Sequence, residues 1–377
     1  MELIFLVKSL HCGIGGMEAH QKAFIKYFRK NEMYRLWIVT REDKEVQILL
    51  NEGDSYKLIG NYVDPKYGFR QLYKVISENP VIFSNDFWWI DLLPIVRESF
   101  PNSRICIRSG GNDIEKMPWN IGNLSYVERR ILCVETLNNV DKIIVNSYFS
   151  QNRFMSYGIS KEKIMIIRGG VDDDLCRTVV SNKELILHNL RERYEIKRPY
   201  VFSFACRMVP FKGIRLALDS IIYSTYKNKC HIVFAGDGQL RSEIEKYCFS
   251  NGLKTTFLGA IPNEEVLKII GASHLLFNTS LETKKISRDH SYIHTETMGR
   301  SMIEAISVHT PIIATNVGGV SQLFAENEDI GIMTDCNIYA ISEAIERALT
   351  HNFSFTIKEN YSWNHIFNLY SEIFYSI

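Results

Sequence analysis

The sequence predicts an α/β protein built as two alternating halves, each with its own parallel sheet. Three observations carry that prediction. Continuous apolar runs of strand length alternate with stretches whose apolar residues recur at helical spacing, the pattern of buried parallel strands joined by helices. Polar and glycine residues cluster after several of those strands, at Asn85-Asp86, Ser109-Gly110-Gly111-Asn112-Asp113, Asn146-Ser147 and Gly169-Gly170. In open α/β sheets that edge is where ligands bind. The alternation breaks at a charged stretch, residues 172–198, and restarts after Pro199. A chain of 377 residues has room for two such domains with ample core.

Taken in order, residues 3–7 read as a buried strand. They run into a loop holding Gly13, Gly15 and Gly16, and then a helix over about 17–30 with Ala19, Ala23, Phe24 and Phe28 facing inward. Strand, glycine loop and helix open a Rossmann-like half. The dinucleotide fingerprint is not completed, because the third glycine of G-x-G-x-x-G would fall at Glu18. Gly15 and Gly16 still let a ligand approach the backbone closely. Strands are expected at 35–39, 81–84, 104–108, 142–145 and 163–167, with helices at 69–78 and 127–139. The expected domains are 1–175, an inter-domain connection at 176–199, and 200–355. In the second domain, strands are expected at 200–205, 231–235, 255–258, 275–278, 311–314 and 331–333, and helices at 214–226, 240–250, 264–271 and 338–349. Residues 280–293 are polar and turn-rich and read as a mobile loop. Residues 356–377 end in an amphipathic helix from about Trp363.

Composition excludes several classes. The formal charge is +1, which gives no nucleic-acid footprint. None of the eight cysteines lies in a C-x-x-C pair, so reduced, buried thiols are expected rather than a zinc site or disulfide frame. The apolar start, residues 1–7, is too short and wrongly flanked for a signal peptide. No run reaches membrane-span length. A cytoplasmic protein is expected, and docking on the inner face of a membrane stays open. Helix 17–30 carries Lys22, Lys26, Arg29 and Lys30 beside Phe24 and Phe28. That fits an anionic membrane surface or, equally, a half-buried helix with a solvated basic face.

The chemistry concentrates in residues 294–304, His-Thr-Glu-Thr-Met-Gly-Arg-Ser-Met-Ile-Glu. Helical spacing begins at Arg300, so Glu296 precedes a helix and Glu304 lies in its second turn. A helix N-terminus suits an anion, and flanking carboxylates accept hydrogen bonds from ligand hydroxyls. The arrangement fits a phosphorylated, hydroxyl-rich molecule; by itself it fits an N-capped surface helix with two solvated glutamates as well. Arg207 and Lys212 follow the first strand of the second half, on a loop held by Pro210 and Gly213. Two cations there suit a diphosphate. Gly236-Asp237-Gly238 makes a tight turn at the same edge. H-E-x-x-H, G-x-x-x-x-G-K-[ST] and G-x-S-x-G are absent. Asp172-Asp173-Asp174 is the only D-x-D match and reads as the solvated start of the connection, so the expected chemistry uses no metal.

Together these residues resemble the GT-B glycosyltransferases, specifically family 4 of retaining, nucleotide-sugar-dependent enzymes. The resemblance rests on Gly15-Gly16-Met17-Glu18, Arg207 with Lys212-Gly213, Gly236-Asp237-Gly238, Phe257-Leu258-Gly259 and Glu296-x7-Glu304-Ala305, with Gly318-Gly319 and the Trp363 helix in support. It implies two facing Rossmann-like domains with a central donor cleft. Arg207 and Lys212 would hold the donor diphosphate, Glu296 the transferred sugar and Glu304 the ribose. Gly15, Gly16, Gly236, Gly259, Gly299, Arg300, Ser301 and Met302 would line the nucleotide diphosphate sugar, UDP or GDP. The last helix would cross back to the first domain. Many family members carry a histidine after the fourth or fifth strand of the first domain. Here Asn112 and Asp113 stand in that region and are candidates to contact sugar or acceptor. The implied partners are the donor and a glycan or lipid-linked acceptor in bacterial surface polysaccharide or glycolipid synthesis. A nucleotide-sugar 2-epimerase on the same fold, or a non-catalytic sugar-nucleotide-binding subunit, remains open.

Overall fold

The structure is a computed structural model and describes residues 1–10, 15–42, 45–53, 55–76 and 79–376. The expected glycine at Gly13 lies outside the described residues. The chain divides into two units: Met1–Arg168 with Ile286–Tyr292 and Asn364–Ile377, and Gly169–Lys285 with Ile293–Trp363.

The first unit is organised on β1 (Glu2–Val7), whose six residues are all buried. Its strands are β1, β2 (Arg35–Glu42), β3 (Glu45–Glu52), β4 (Ser55–Tyr62), β5 (Val81–Ser84), β6 (Arg104–Arg108), β7 (Lys142–Val145) and β8 (Ile164–Ile166). They lie in the order β4-β3-β2-β1-β5-β6-β7-β8. β1 runs parallel to both β2 and β5, while β3 and β4 extend the sheet as an antiparallel pair. Its helices are α1 (Gly16–Phe28), α2 (Pro65–Val75), α3 (Leu93–Ser99), α4 (Asp113–Lys116), α5 (Tyr126–Asn139) and α6 (Tyr148–Ser156). Alternate side chains of β1 serve the two faces. Ile4 and Leu6 join a core with Phe69, Ile82, Trp89 and Ile105. Phe5 instead stacks on Phe24 of α1 at 4.1 Å and on Phe83 at 5.6 Å.

The second unit opens with α7 (Asp173–Ser181) and α8 (Lys183–Arg193). It continues through β9 (Tyr200–Ala205), α9 (Ile214–Tyr223), β10 (Cys230–Ala235), α10 (Arg241–Ser250), β11 (Thr255–Gly259), α11 (Asn263–Gly271) and β12 (Leu275–Asn278). A hairpin of β13 (Thr283–Ser287) and β14 (His290–His294) follows; its tip, Ile286–Tyr292, is counted in the first unit. Then come α12 (Arg300–Ser307), β15 (Ile312–Thr315), α13 (Val320–Glu326), β16 (Asn327–Glu328), β17 (Gly331–Thr334), α14 (Ile338–Ala348) and β18 (Thr356–Ile357); the last helix, α15 (Trp363–Ser376), is counted in the first unit from Asn364 on. The second sheet runs β11-β10-β9-β12-β15-β17, parallel throughout.

Four expectations change. Residues 176–199 do not form a bare connection. They form most of α7 and all of α8 inside the second unit, because Cys176 and Val179 bury beside Leu267 and Ile270 and Leu187 and Leu190 beside Val201 and Ile269. Asp172 caps α7 by accepting the Leu175 N–H at 3.1 Å, which accounts for the acidic triplet's start. Residues 280–293 contain the β13–β14 hairpin rather than a loop. Phe24 and Phe28 are fully buried, so they offer no apolar surface to lipid, and the exposed side chains of α1 are Lys22 and Lys26. Most thiols are buried as expected, but Cys336 is exposed. Among the described residues no helix is long and apolar enough to cross a membrane.

Candidate functional site

The order of the second sheet reverses beside β9: β10 and β11 lie on one side, β12, β15 and β17 on the other. Ligands in such sheets bind outside the carboxyl ends of the strands at that switch. The two segments leaving β9 and β12 there are residues 206–213 and 279–280. Lys212 ends a single 3-10 turn, Pro210–Lys212, and Gly213 follows with φ 60°. A Cβ on Gly213 would lie 1.9 Å from the Thr279 carbonyl oxygen, so only glycine lets the two segments close up. The Thr279 hydroxyl also donates to the Gly213 carbonyl at 3.2 Å.

This closure brings Lys212 to Glu296. The ammonium donates to Oε2 of Glu296, and the Ser280 hydroxyl donates to the same oxygen at 2.9 Å. The side chains are 16% and 12% exposed. Burial works against the charge on Lys212, but the facing Glu296 carboxylate outweighs it and holds the ammonium above its usual pKa. Burial likewise works against ionisation of Glu296, and Lys212 with Ser280 holds its carboxyl below the usual range. Arg207 is exposed, and its charge acts on Lys212.

Gly299 caps α12 with φ 81°. A Cβ there would sit 2.3 Å from Cε of Met302 and 2.8 Å from Nδ2 of Asn278. The Gly299 carbonyl accepts the Met302 N–H at 2.9 Å, and the Met302 side chain is fully buried. The first turn of α12 therefore uses the Met302 N–H. Ser301 is 8% exposed. Glu304 is 3% exposed, and its Oε1 accepts from Asn263 at 2.7 Å and from Nε of Arg300 at 2.9 Å. The Arg300 guanidinium lies 5.5 Å from the Trp363 ring centre. Gly236 donates to the Gly259 carbonyl at 2.8 Å, and the Asp237 carbonyl accepts the Met208 N–H at 2.9 Å. The Gly236-Asp237-Gly238 turn therefore ties β11 and the Arg207 loop together.

Lys212, Glu296 and Ser280 thus form one polar cluster, and Arg300, Glu304 and Asn263 form another across the first two turns of α12. Sequence reasoning missed Ser280 and Asn263. Ser280 had a signal, two residues beyond a strand at the switch point. Asn263 had none, because its contact with Glu304 spans 41 positions.

In the first unit, Asn112 and Asp113 sit beyond β6. The Asn112 amide oxygen accepts from Arg153 at 2.7 Å. Asp113 accepts the Gly110 N–H at 2.7 Å and the Ser109 hydroxyl at 3.1 Å. Both side chains hold the loop in shape. Beyond β5, burial pushes the Asp86 carboxyl up to about 6, with the Asp113 charge adding to the effect. Gly15 and Gly16 stand at the amino end of α1, a favourable place for an anion. Among the described residues no group of three or more His, Cys, Asp or Glu is arranged to hold a metal ion.

Residues 188–362 match the family described as glycosyl transferases group 1, a span that takes in Arg207, Lys212, Asn263, Ser280, Glu296, Gly299 and Glu304. The alpha-D-kanosaminyltransferase of Streptomyces kanamyceticus is 24% identical over 163 residues, 42% of this chain and 39% of that protein. The phosphatidylinositol N-acetylglucosaminyltransferase GPI3 subunit of Saccharomyces cerevisiae (strain YJM789) is 23% identical over 272 residues, 69% of this chain and 56% of that one. The chain therefore spans less than two thirds of these curated relatives. The crystal structure of Anabaena Alr3699/HepE with UDP and glucose superposes over 100% of both chains at a TM-score of 0.70 and 17% identity. The fold is the GT-B fold of glycosyltransferases, with two Rossmann-like domains.

Proposed function

We propose that the protein is a retaining glycosyltransferase of the family-4 type, moving a sugar from a nucleotide diphosphate sugar to a hydroxyl acceptor without a metal. The observation that carries this reading is the Lys212–Glu296–Ser280 cluster at the switch point of the second sheet. A diphosphate leaving group develops negative charge, and fixed cations stabilise it where it forms. Lys212 is held charged and in place by Glu296, and Arg207 is exposed beside it to take a second phosphate oxygen. Glu296, fixed by Lys212 and Ser280, accepts from hydroxyls of the transferred sugar. Glu304, steadied by Arg300 and Asn263, accepts from the ribose. Asn112 and Asp113 serve the acceptor side by shaping the loop beyond β6.

The nucleotide is UDP in this reading. It is supported by the likeness in fold to a protein solved with UDP and glucose. The similarity to a phosphatidylinositol N-acetylglucosaminyltransferase subunit supports a glycolipid or surface polysaccharide setting. The reaction is placed in the cytoplasm, at the membrane face when the acceptor is lipid-linked.

The test is thermal stability against UDP-, GDP- and ADP-sugars, with and without EDTA. A ligand that binds only the folded chain stabilises it by mass action, by about 2.7 kcal/mol at a hundredfold excess over Kd, and so raises the melting temperature. UDP-sugars should give the shift, and EDTA should leave it unchanged. No shift from any nucleotide sugar at millimolar concentration would overturn the donor site, and conversion of the donor without an acceptor would favour an epimerase.

A further inference from the structure

The first unit contains a polar cavity of about 370 Å³, lined among others by Asn120, Asn123, Leu124, Arg129, Arg288 and Asp289. None of these residues takes part in the reaction proposed above. Its walls are the segment between α4 and α5, the start of α5, and the tip of the β13–β14 hairpin, all counted in this unit. The volume falls at the small end of the range for ligand sites, about 300–1,000 Å³.

Arg129 is the fixed charge of the cavity. Its side chain is 2% exposed and pairs with Asp289 at 2.6 Å; it also donates to the Leu124 carbonyl at 2.7 Å. Its Nε–H finds no acceptor among the described residues. Asp289 is spent on this pair and on the Tyr126 N–H at 2.7 Å. Arg288 is exposed and donates to the Trp119 carbonyl at 2.8 Å and the Asn120 amide oxygen at 2.9 Å. A guanidinium has five N–H donors, so these contacts orient the group without exhausting it. Two guanidiniums against one carboxylate leave the lining with one uncompensated positive charge.

The backbone supplies an independent observation. Arg288 has φ 54°, in the left-handed region that glycine and asparagine adopt at hairpin tips and other residues resist. Strain of this kind persists where the surrounding structure imposes it and concentrates at functional sites. The tip does not need the arginine as an anchor. His290 reaches the Glu115 carbonyl at 2.7 Å and stacks on Tyr126 at 4.3 Å, while Asp289 holds Arg129. A strained position in an already anchored tip therefore carries a long cationic side chain directed along the cavity wall.

We propose that this cavity binds the oxyanion of an acidic or phosphorylated sugar, with Arg288 as the recognising group and Arg129 as the fixed charge behind it. A planar guanidinium takes a carboxylate or a phosphate through paired hydrogen bonds, and Asn120 and Asn123 suit the neighbouring hydroxyls. Calling that sugar the acceptor rests on the transferase reading; the binding itself does not.

The test is calorimetric titration of the full chain with glucuronate, glucose 6-phosphate and glucose at low salt. At least one anionic sugar should bind about tenfold or more tighter than glucose, and added salt should weaken it. The preferred anion names the source. Arg288→Gly should weaken that binding at least about tenfold without lowering the melting temperature, because glycine relieves the left-handed turn. The UDP-sugar shift should be unchanged in the variant. Arg288→Gln, which keeps the side-chain length, should show the same loss if the glycine variant folds poorly. Glucose binding as tightly as both anions, or full anion binding in either variant, overturns the proposal. Anion binding that depends on Arg288 in a chain with no UDP-sugar shift would sink the transferase reading and leave the cavity assignment standing.

Discussion

Burial alone would push the Lys212 ammonium toward its neutral form and the Glu296 carboxyl toward protonation; facing each other, the two reverse both tendencies. The pH window follows from the directions. Glu296 sits below its ordinary pKa, so its contribution is present above the ordinary carboxylate value and is lost as pH falls through the lowered one. Lys212 sits above its ordinary pKa, so its contribution is present below the ordinary lysine value and is lost as pH climbs past the raised one. The pair is therefore intact across the neutral range, and turnover should be flat there, falling in acid as Glu296 protonates and again in strong alkali as Lys212 loses its proton. Lys212→Ala leaves a carboxylate mostly shielded from water with Ser280 as its remaining partner. It should cost about 3 kcal/mol of stability at neutral pH and lower turnover at least about tenfold. A urea midpoint and kcat on a saturating UDP-sugar check the two effects together, with the stability loss shrinking in acid. Glu304→Ala should show a similar fall in turnover; near-wild-type rates in both variants, with the fold intact, would refute the site assignment.

α12 is the element that converts residue types into a site, and Gly299 sets where it starts. Gly299→Ala would place a methyl group on a left-handed backbone, 2.3 Å from the Met302 side chain. The expected cost is about 1–3 kcal/mol, with the UDP-sugar stability shift reduced or lost; an alanine variant that melts and binds like the parent would mean that the start of α12 is not shaped for a ligand. Gly299, Glu296 and Glu304 were all legible, because an apolar helical period begins just after a glycine flanked by carboxylates. The contacts that organise them were not. Lys212 meets Glu296 across 84 positions, and no local pattern reports such a pairing. The β13–β14 hairpin was hidden for a related reason. Residues such as Thr283, Lys285 and Ser287 are polar, so they carry no apolar alternation, and the tip is held by partners as distant as Arg129, 160 positions away. The β3–β4 pair was passed over because its edge strand is largely exposed and so lacks the apolar run that marked the buried strands. Residues 172–198 show short helical periodicity in the sequence, but the charged composition of α8 does not mark Leu187 and Leu190 as residues that pack within the second unit.

At the scale of the whole molecule, the alternation of strands and helices was enough to read two α/β halves, because each half repeats one physical unit: a buried parallel strand, a turn and an amphipathic helix. The boundary was less legible, since α7 and α8 bury their apolar residues within the second unit although their composition is that of a solvated connection. The same division makes a prediction about ligand response. Apart from Gly15 and Gly16, the residues placed around the donor fall between positions 207 and 304 of the second unit, at the carboxyl ends of β9, β10, β11 and β12 and the start of α12. A bound donor adds its free energy to openings that expose those amides and adds nothing to openings elsewhere that leave the site intact. Amide exchange measured with a saturating UDP-sugar should therefore slow in residues 206–213, 236–238 and 295–304, while the edge pair β3–β4 of the first unit exchanges as before. The slowing should reach about a hundredfold at a hundredfold excess over Kd for amides that exchange only through ligand-releasing openings. Protection confined to residues 1–168, or absent from the segments after β9 and before α12, would place the nucleotide away from the Lys212–Glu296 cluster and remove the basis for the reaction assigned to it.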